Sequence, residues 1–161
     1  HNFFNDTATT EIYTAGHSSA ASDVYKRQTI ACDGDLIPGV KENLIALADK
    51  LQIQILTADT FGNARRGLEG IKCKLSIIAP ESQDIGKLNY VKRLGAENTV
   101  CVGNGRNDEL MLKEAALGIA VILEEGAATA ALGAADVVCT SILSALELLG
   151  HPMRLIATLR T

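Results

Sequence analysis

Three short groups of polar residues have the chemical types that a phosphate-binding site needs. The first is Leu56-Thr57-Ala58-Asp59-Thr60, the second is the single lysine Lys87, and the third is Gly103-Asn104-Gly105-Arg106-Asn107-Asp108. Together they supply a hydroxyl donor, a cation that offsets phosphoryl charge, and oxygen ligands for a magnesium ion. These residues therefore predict one site for a small phosphorylated molecule.

Each group also has an ordinary structural explanation. Thr57 alone is more often a strand-end hydroxyl or a helix cap, and Asp59, Asn107 and Asp108 are good N-cap residues. A lone lysine such as Lys87 is usually solvated, and a double-glycine loop is typical of a tight turn. The functional interpretation depends on their joint placement, since each group follows a predicted strand or opens a predicted helix.

The elements that must position these residues are alternating apolar strands and amphipathic helices. Strand-like runs occur at 53–56, 75–78, 99–102, 119–122 and 137–138. Helical periodicity occurs at 41–50, 83–94, 107–116, 127–134, 141–149 and 152–160. This alternation predicts an α/β fold with a mainly parallel sheet, in which a ligand site lies beyond the carboxyl ends of the strands.

Composition and charge narrow the class of protein. The 161 residues are 47% hydrophobic and 21% charged, which is typical of one globular domain. The formal net charge of -4 gives no basic field for nucleic acid, and the apolar runs are too short to span a membrane. Four scattered cysteines favour a reducing compartment and small buried side chains. We therefore expect a cytoplasmic protein with no nucleic-acid partner and no membrane insertion.

The first 28 residues differ from the remainder of the chain. They contain no leucine, are rich in Ser, Thr and Asn, and have neither helical nor strand periodicity. They resemble translated read-through of a sequencing adapter, so we interpret residues 1–28 as a non-native or disordered leader. On this interpretation residues 29–161 form the domain, which is truncated at its N-terminus, and residues 1–24 pack poorly.

From residue 29 to residue 161 the chain resembles the haloacid-dehalogenase-like (HAD) hydrolases, and among them the small soluble relatives of the P-type ATPase phosphorylation domain. Residues 56–60 are similar to the second motif of that family, Lys87 to the third, and residues 102–108 to the fourth. The resemblance implies a three-layer Rossmann-like fold, a Mg²⁺ cofactor, and phosphohydrolysis through an aspartyl-phosphate. The chain has no room for a large cap domain, which leaves the identity of the substrate open.

The resemblance also implies a role for each matching residue. The implied catalytic residues are Thr57, Lys87 and Asp108, and the phosphate would contact Thr57, Lys87 and Asn107. Asn104 and Asp108 fall at the magnesium positions, and which of them ligates the metal directly stays open. Asn104 stands where the related pumps usually have aspartate, so the site has one formal negative charge fewer and weaker metal binding is expected.

The first motif of the family, D-x-(D/N)-G-T, is not intact in this sequence. Thr29 matches its last residue, and counting back places Tyr25 at the nucleophile, Arg27 at the acid/base and Gln28 at the glycine. None of the three side chains can perform the chemistry of the residue that it replaces. The remaining nearby carboxylates lie beyond the strand end, in a turn: Asp33 and Asp35. We therefore predict that the family activity is lost in this chain.

Two other classes of function stay open. A regulatory module that binds phosphate or nucleotide without turnover would use the same residues and tolerate a missing nucleophile. A soluble partner of a cation-transporting ATPase would explain the resemblance to a pump domain. The predicted partners are a small phosphorylated substrate and, as alternatives, such a pump or a second copy of the chain in a homo-oligomer.

Overall fold

The computed structural model describes residues 9–13, 29–32, 35–57, 63–79 and 81–160, with the backbone alone given at 9–13, 32, 35, 63 and 64. The strands of this part are β1 (Thr9–Tyr13), β2 (Ala31–Cys32), β3 (Asp35–Leu36), β4 (Gln52–Thr57), β5 (Cys73–Ile77), β6 (Thr99–Gly103), β7 (Leu117–Val121) and β8 (Val137–Cys139). The helices are α1 (Val40–Ala48), α2 (Asn63–Gly67), α3 (Gln83–Leu94), α4 (Glu109–Glu114), α5 (Thr129–Ala134), α6 (Ile142–Gly150) and α7 (Pro152–Leu159).

Six of the strands form one parallel sheet in the order β5-β4-β1-β6-β7-β8, and β2 pairs separately with β3. The sequence predicted the five strands β4 to β8 of this sheet, because each of them contains a short, mostly apolar run. All five positions of β6 and of β7 are buried, as expected for strands that are covered on both faces. The predicted α/β class with a mainly parallel sheet is confirmed.

Helices cover both faces of the sheet and give it two hydrophobic cores. On one face α1, α6 and α7 pack against the strands, and Leu44, Leu146 and Ile55 belong to this core. On the other face α3, α4 and α5 pack against the strands, and Leu56 and Val91 belong to that core. Successive residues of β4 enter opposite cores because side chains alternate along a strand. The three layers are those of the predicted Rossmann-like fold.

A polar contact within the second core fixes α3 on the sheet. The Tyr90 hydroxyl of α3 donates to Gln54 Oε1 of β4 at 2.9 Å and lies 3.0 Å from Ser76 Oγ of β5. Gln54 is buried, and a buried amide without a hydrogen-bond partner costs about 1–3 kcal/mol. The tyrosine therefore ties the helix that carries Lys87 to two neighbouring strands.

The helix boundaries follow local chemistry. α3 spans the predicted residues, α7 begins at Pro152 as predicted, and α6 begins after Ser141, whose Oγ accepts a hydrogen bond from the Ser144 backbone N–H at 3.1 Å. α4 begins later than predicted, because residues 106–108 form a 3₁₀ turn in which the Asp108 side chain bonds to the preceding loop.

Three cysteines of the described part are free, namely Cys73, Cys101 and Cys139. Cys101 and Cys139 are buried, as predicted, and Cys73 is half-buried. Burial raises the pKa of the Cys73 and Cys139 thiols because it disfavours the charged thiolate. These two thiols therefore fill space and are poor nucleophiles at neutral pH.

The central strand of the sheet was not predicted. The backbone of β1 lies between β4 and β6, with Thr10 paired to both Ile53 and Val100. The expectation that the leader has no regular structure is therefore wrong for residues 9–13. Its β-branched residues Thr9, Thr10 and Ile12 suit a strand, and the slot between β4 and β6 supplies the pairing partners that a local pattern cannot show.

The helices of the described residues were compared with the length and apolar composition that a membrane span needs. No single helix there is both long and apolar enough to cross a bilayer. α6 and α7 reach the required length and composition only as a pair, and the two helices are bent by 104° at the break between them.

Gly118 of β7 allows α4 to approach the sheet closely. A Cβ atom at this position would lie 2.4 Å from the Leu112 backbone oxygen, which cannot move without shifting the helix. We expect Gly118→Ala to lower the free energy of unfolding by about 1–3 kcal/mol, measured by urea denaturation. The matched control is Gly133→Ala in α5, where a Cβ meets nothing within 4 Å. An equal response of the two variants would contradict the close approach.

Candidate functional site

The candidate site lies at the carboxyl edge of the sheet, on both sides of β1. Thr57 is the last residue of β4, and Gly103 is the last residue of β6. Because both strands pair in parallel with β1, their ends lie at the same edge of the sheet. Lys87, from the first half of α3, contacts the loop that follows β6 through Asp108. The predicted convergence of these residues at one edge agrees with this placement.

A buried ion pair is the centre of the site. Lys87 Nζ lies 2.5 Å from Asp108 Oδ1, and the two side chains are 2% and 0% exposed. The other carboxylate oxygen, Asp108 Oδ2, accepts hydrogen bonds from the backbone N–H groups of Asn104 at 3.0 Å and Gly105 at 2.8 Å. Both oxygens of Asp108 are therefore engaged, and the carboxylate holds the lysine and the loop in one arrangement.

Both glycines of the loop lie against polar side chains of the site. A Cβ on Gly103 would lie 2.5 Å from Asp108 Cγ, and a Cβ on Gly105 would lie 2.6 Å from Asn107 Oδ1. A side chain at either position would displace a polar group of the site. The glycines were predicted as turn formers, and the structure adds that they leave room for Asp108 and Asn107.

Thr29 and Asn104 form a second polar contact at this edge. The Thr29 hydroxyl is buried and donates to Asn104 Oδ1 at 3.2 Å. The Asn104 backbone oxygen accepts a hydrogen bond from the Ala128 N–H at 2.8 Å, just before α5 begins. Sequence reasoning identified Thr29 only as the end of the first motif and did not predict this contact with the fourth.

Asn107 is held by the start of α3. Its Nδ2 donates to Gln83 Oε1 at 2.8 Å, whereas its Oδ1 is buried and has no hydrogen-bond partner among the described residues. The contact places the predicted phosphate-binding amide beside the helix that carries Lys87. Gln83 was predicted only as a helix start, and nothing in its sequence context indicated this bond.

Several predicted residues lie outside the described residues. These are Asp59 of the second motif, Tyr25, Arg27 and Gln28 at the first-motif positions, and Asp33. Asp35 is described by its backbone alone, in β3. The roles assigned to these residues stay predictions.

The described residues of the loop offer a magnesium ion no free carboxylate. Mg²⁺ in proteins is usually held by one or two carboxylates together with water and phosphate oxygens. The only carboxylate of the loop, Asp108, is fully buried and uses both oxygens, and the Asn104 side-chain oxygen accepts from Thr29. No group of three His, Cys, Asp or Glu side chains that could hold a metal occurs in the described part.

Known proteins are similar to the chain in sequence. The uncharacterized protein MJ0073 of Methanocaldococcus jannaschii is 45% identical to it over 83 residues, which are 49% of this chain and 89% of that protein. No family model matches the chain.

Solved structures are similar to the chain in fold. The 3-deoxy-D-manno-octulosonate 8-phosphate phosphatase of Moraxella catarrhalis, solved with magnesium, phosphate and KDO, superposes with a TM-score of 0.64 at 17% identity, covering 96% of this chain and 94% of that one. A zinc-transporting PIB-type ATPase in the E2.Pi state superposes with a TM-score of 0.57 at 23% identity, covering 77% of this chain and 19% of that one. Other similar structures are HAD family hydrolases. At these identities the likeness shows a common fold.

Proposed function

Because the chain belongs to the family of the Methanocaldococcus jannaschii protein MJ0073 and has the HAD-like fold that its motifs predicted, we propose that its site binds the phosphoryl group of a small phosphorylated substrate. A protein with an intact site of this kind would be a phosphohydrolase that acts through an aspartyl-phosphate. This chain would bind phosphate without turnover. One observation carries the proposal: the Lys87 ammonium group is buried at the carboxyl edge of the sheet, beside the loop after β6.

Lys87 has hydrogen-bonding capacity beyond its ion pair. An ammonium group has three N–H donors, and one of them is directed at Asp108 Oδ1. Asp108 offsets the cost of burying the lysine charge, while a phosphoryl group would supply acceptors for the other donors. Thr57, which is buried at the end of β4, would contribute its hydroxyl from the other side of β1.

The proposal excludes hydrolysis because no aspartate occupies the nucleophile position. The motif match places Tyr25 there, outside the described residues. A second candidate for that position, different from Tyr25, is the end of the central strand β1, whose last residue is Tyr13. The residues that follow it in sequence are Thr14, Ala15 and Gly16. Neither candidate position has a carboxylate with which to attack phosphorus.

Magnesium would be a cofactor of the intact site only. The resemblance implies it, and the Moraxella catarrhalis phosphatase was solved with it. When bound, the metal would supply charge stabilisation at the phosphoryl oxygens. The one described carboxylate of the loop, Asp108, is already paired, so here Lys87, Thr57 and the remaining N–H of the Asn107 amide would bind and orient the phosphate.

The test removes the buried ion pair without leaving an unpaired charge. We expect the double variant Lys87→Met with Asp108→Asn to lose at least about tenfold in affinity for inorganic phosphate, measured by calorimetry, because the donor with the full positive charge is gone. The matched control is Lys92→Met with Glu114→Gln, which removes an exposed ion pair of 3.5 Å on the neighbouring surface of α3 and α4. If both double variants bind phosphate as the parent does, Lys87 has a structural role only and the proposal is wrong.

The regulatory interpretation of the sequence is the one that agrees with this proposal, since it requires phosphate binding without turnover. The interpretation as a pump partner has only the fold likeness to the zinc-transporting ATPase in its favour. The homo-oligomer stays a prediction.

A further inference from the structure

The Thr29–Asn104 contact orients the Asn104 amide. The Thr29 hydroxyl donates to Oδ1 at 3.2 Å, so the amide oxygen is turned towards Thr29. The Nδ2 group, which has two N–H donors and no acceptor capacity, is at the opposite end of the amide. Asn104 therefore presents its two N–H donors on the side away from Thr29, where they suit the oxygens of a phosphate.

The charges of the surrounding loop favour the same kind of ligand. Lys87 and Asp108 form a neutral pair, and the remaining charged side chain of the loop is the exposed Arg106. With Asn104 uncharged, the loop and Lys87 together have a net formal charge of +1. A phosphate is attracted by this charge, whereas a cation would find the one carboxylate of the loop, Asp108, already paired.

From these two observations we infer that the site binds phosphate directly, without a divalent cation, and that Thr29 is the positioning residue that turns Asn104 into a donor. The inference rests on the proposed function, because it concerns how the same site recognises phosphate. The Asn104 amide takes the place of a metal ion as a partner of the phosphate oxygens.

The inference is tested by titrating inorganic phosphate calorimetrically, once with EDTA and once with excess Mg²⁺. We expect the phosphate affinity of the parent chain to differ by less than about twofold between the two conditions. Asn104→Asp replaces the donor by a carboxylate, so it should lose at least about tenfold in phosphate affinity in EDTA and recover part of it when Mg²⁺ is added.

Variants of Thr29 test the positioning role. Thr29→Val removes the hydroxyl that orients the Asn104 amide. It should weaken phosphate binding by about threefold or more, both in EDTA and in Mg²⁺. Thr29→Ser keeps the hydroxyl and should bind phosphate as the parent chain does. Thr99→Val is the control, because Thr99 is equally buried and its hydroxyl bonds to Gly95 O at the other end of β6. Circular dichroism establishes that each variant is folded before it is titrated.

The outcomes separate the inference from the function on which it rests. Phosphate binding by the parent chain only in the presence of Mg²⁺ would overturn the inference and leave the proposed function intact. Absence of phosphate binding in both conditions would overturn the proposed function. Equal binding by Thr29→Val and the parent chain would show that the hydroxyl does not position Asn104.

Discussion

Replacing Asp108 by asparagine is expected to lower the free energy of unfolding by about 3–5 kcal/mol, because it leaves the Lys87 charge buried without a counter-charge. The lysine side chain is only 2% exposed, so little water can replace the lost carboxylate. In addition, the new amide presents an N–H₂ group where one of the carboxylate oxygens accepted hydrogen bonds. The loss is measured by urea denaturation at neutral pH.

The exposed pair of Lys92 and Glu114 is the control for this variant. Their nitrogen–oxygen distance is 3.5 Å and the two side chains are 51% and 40% exposed, so Glu114→Gln should cost no more than about 1 kcal/mol. Adding Lys87→Met to Asp108→Asn should restore much of the lost stability, since no charge is then unpaired. A small loss for Asp108→Asn alone would show that Lys87 is hydrated in the native state.

Restoring the first motif is expected to raise phosphatase activity by several orders of magnitude, about 10³-fold or more, since a covalent nucleophile contributes this much in enzymes that depend on one. The variant is Tyr25→Asp with Arg27→Asp and Gln28→Gly, assayed with p-nitrophenyl phosphate with and without Mg²⁺. The chain as it stands should show no turnover above the background.

The control for the restored chain differs from it by a single group. It has Tyr25→Asn in place of Tyr25→Asp and keeps the other two changes, so only the attacking carboxylate is missing. Activity in the restored chain and not in this control would identify the carboxylate as the nucleophile. Equal turnover by the parent chain and the restored chain would refute the assignment of Tyr25.

The strands β4 to β8 and the helices around them could be predicted because their hydrophobic patterns are local in the sequence. A window of about a dozen residues is enough to recognise the apolar runs of β6 and β7 or the helical period of α3. β1 could not be predicted, because Thr9–Tyr13 becomes a strand through pairing with β4 and β6, which are distant in sequence. A short polar segment has no local pattern that indicates such partners.

The candidate site was predictable in its residue types but not in its contacts. Lys87 and Asp108 could be chosen as candidate residues from their motifs, yet no spacing rule shows that a lysine and an aspartate 21 positions apart form one buried pair. The same holds for Thr29 and Asn104, which are 75 positions apart. Such contacts depend on how the strand ends meet, which is a property of the assembled sheet.

The hydroxyl of Tyr90 gives the protein an internal optical reporter. The chain has no tryptophan and three tyrosines, so its near-ultraviolet spectrum comes largely from phenol rings. The ring of Tyr90 is held by Gln54 and Ser76, and a phenol in a fixed asymmetric setting produces a circular dichroism signal that a freely rotating one does not. Because the same helix carries Lys87, that signal reports whether α3 is packed on the sheet, with or without a ligand.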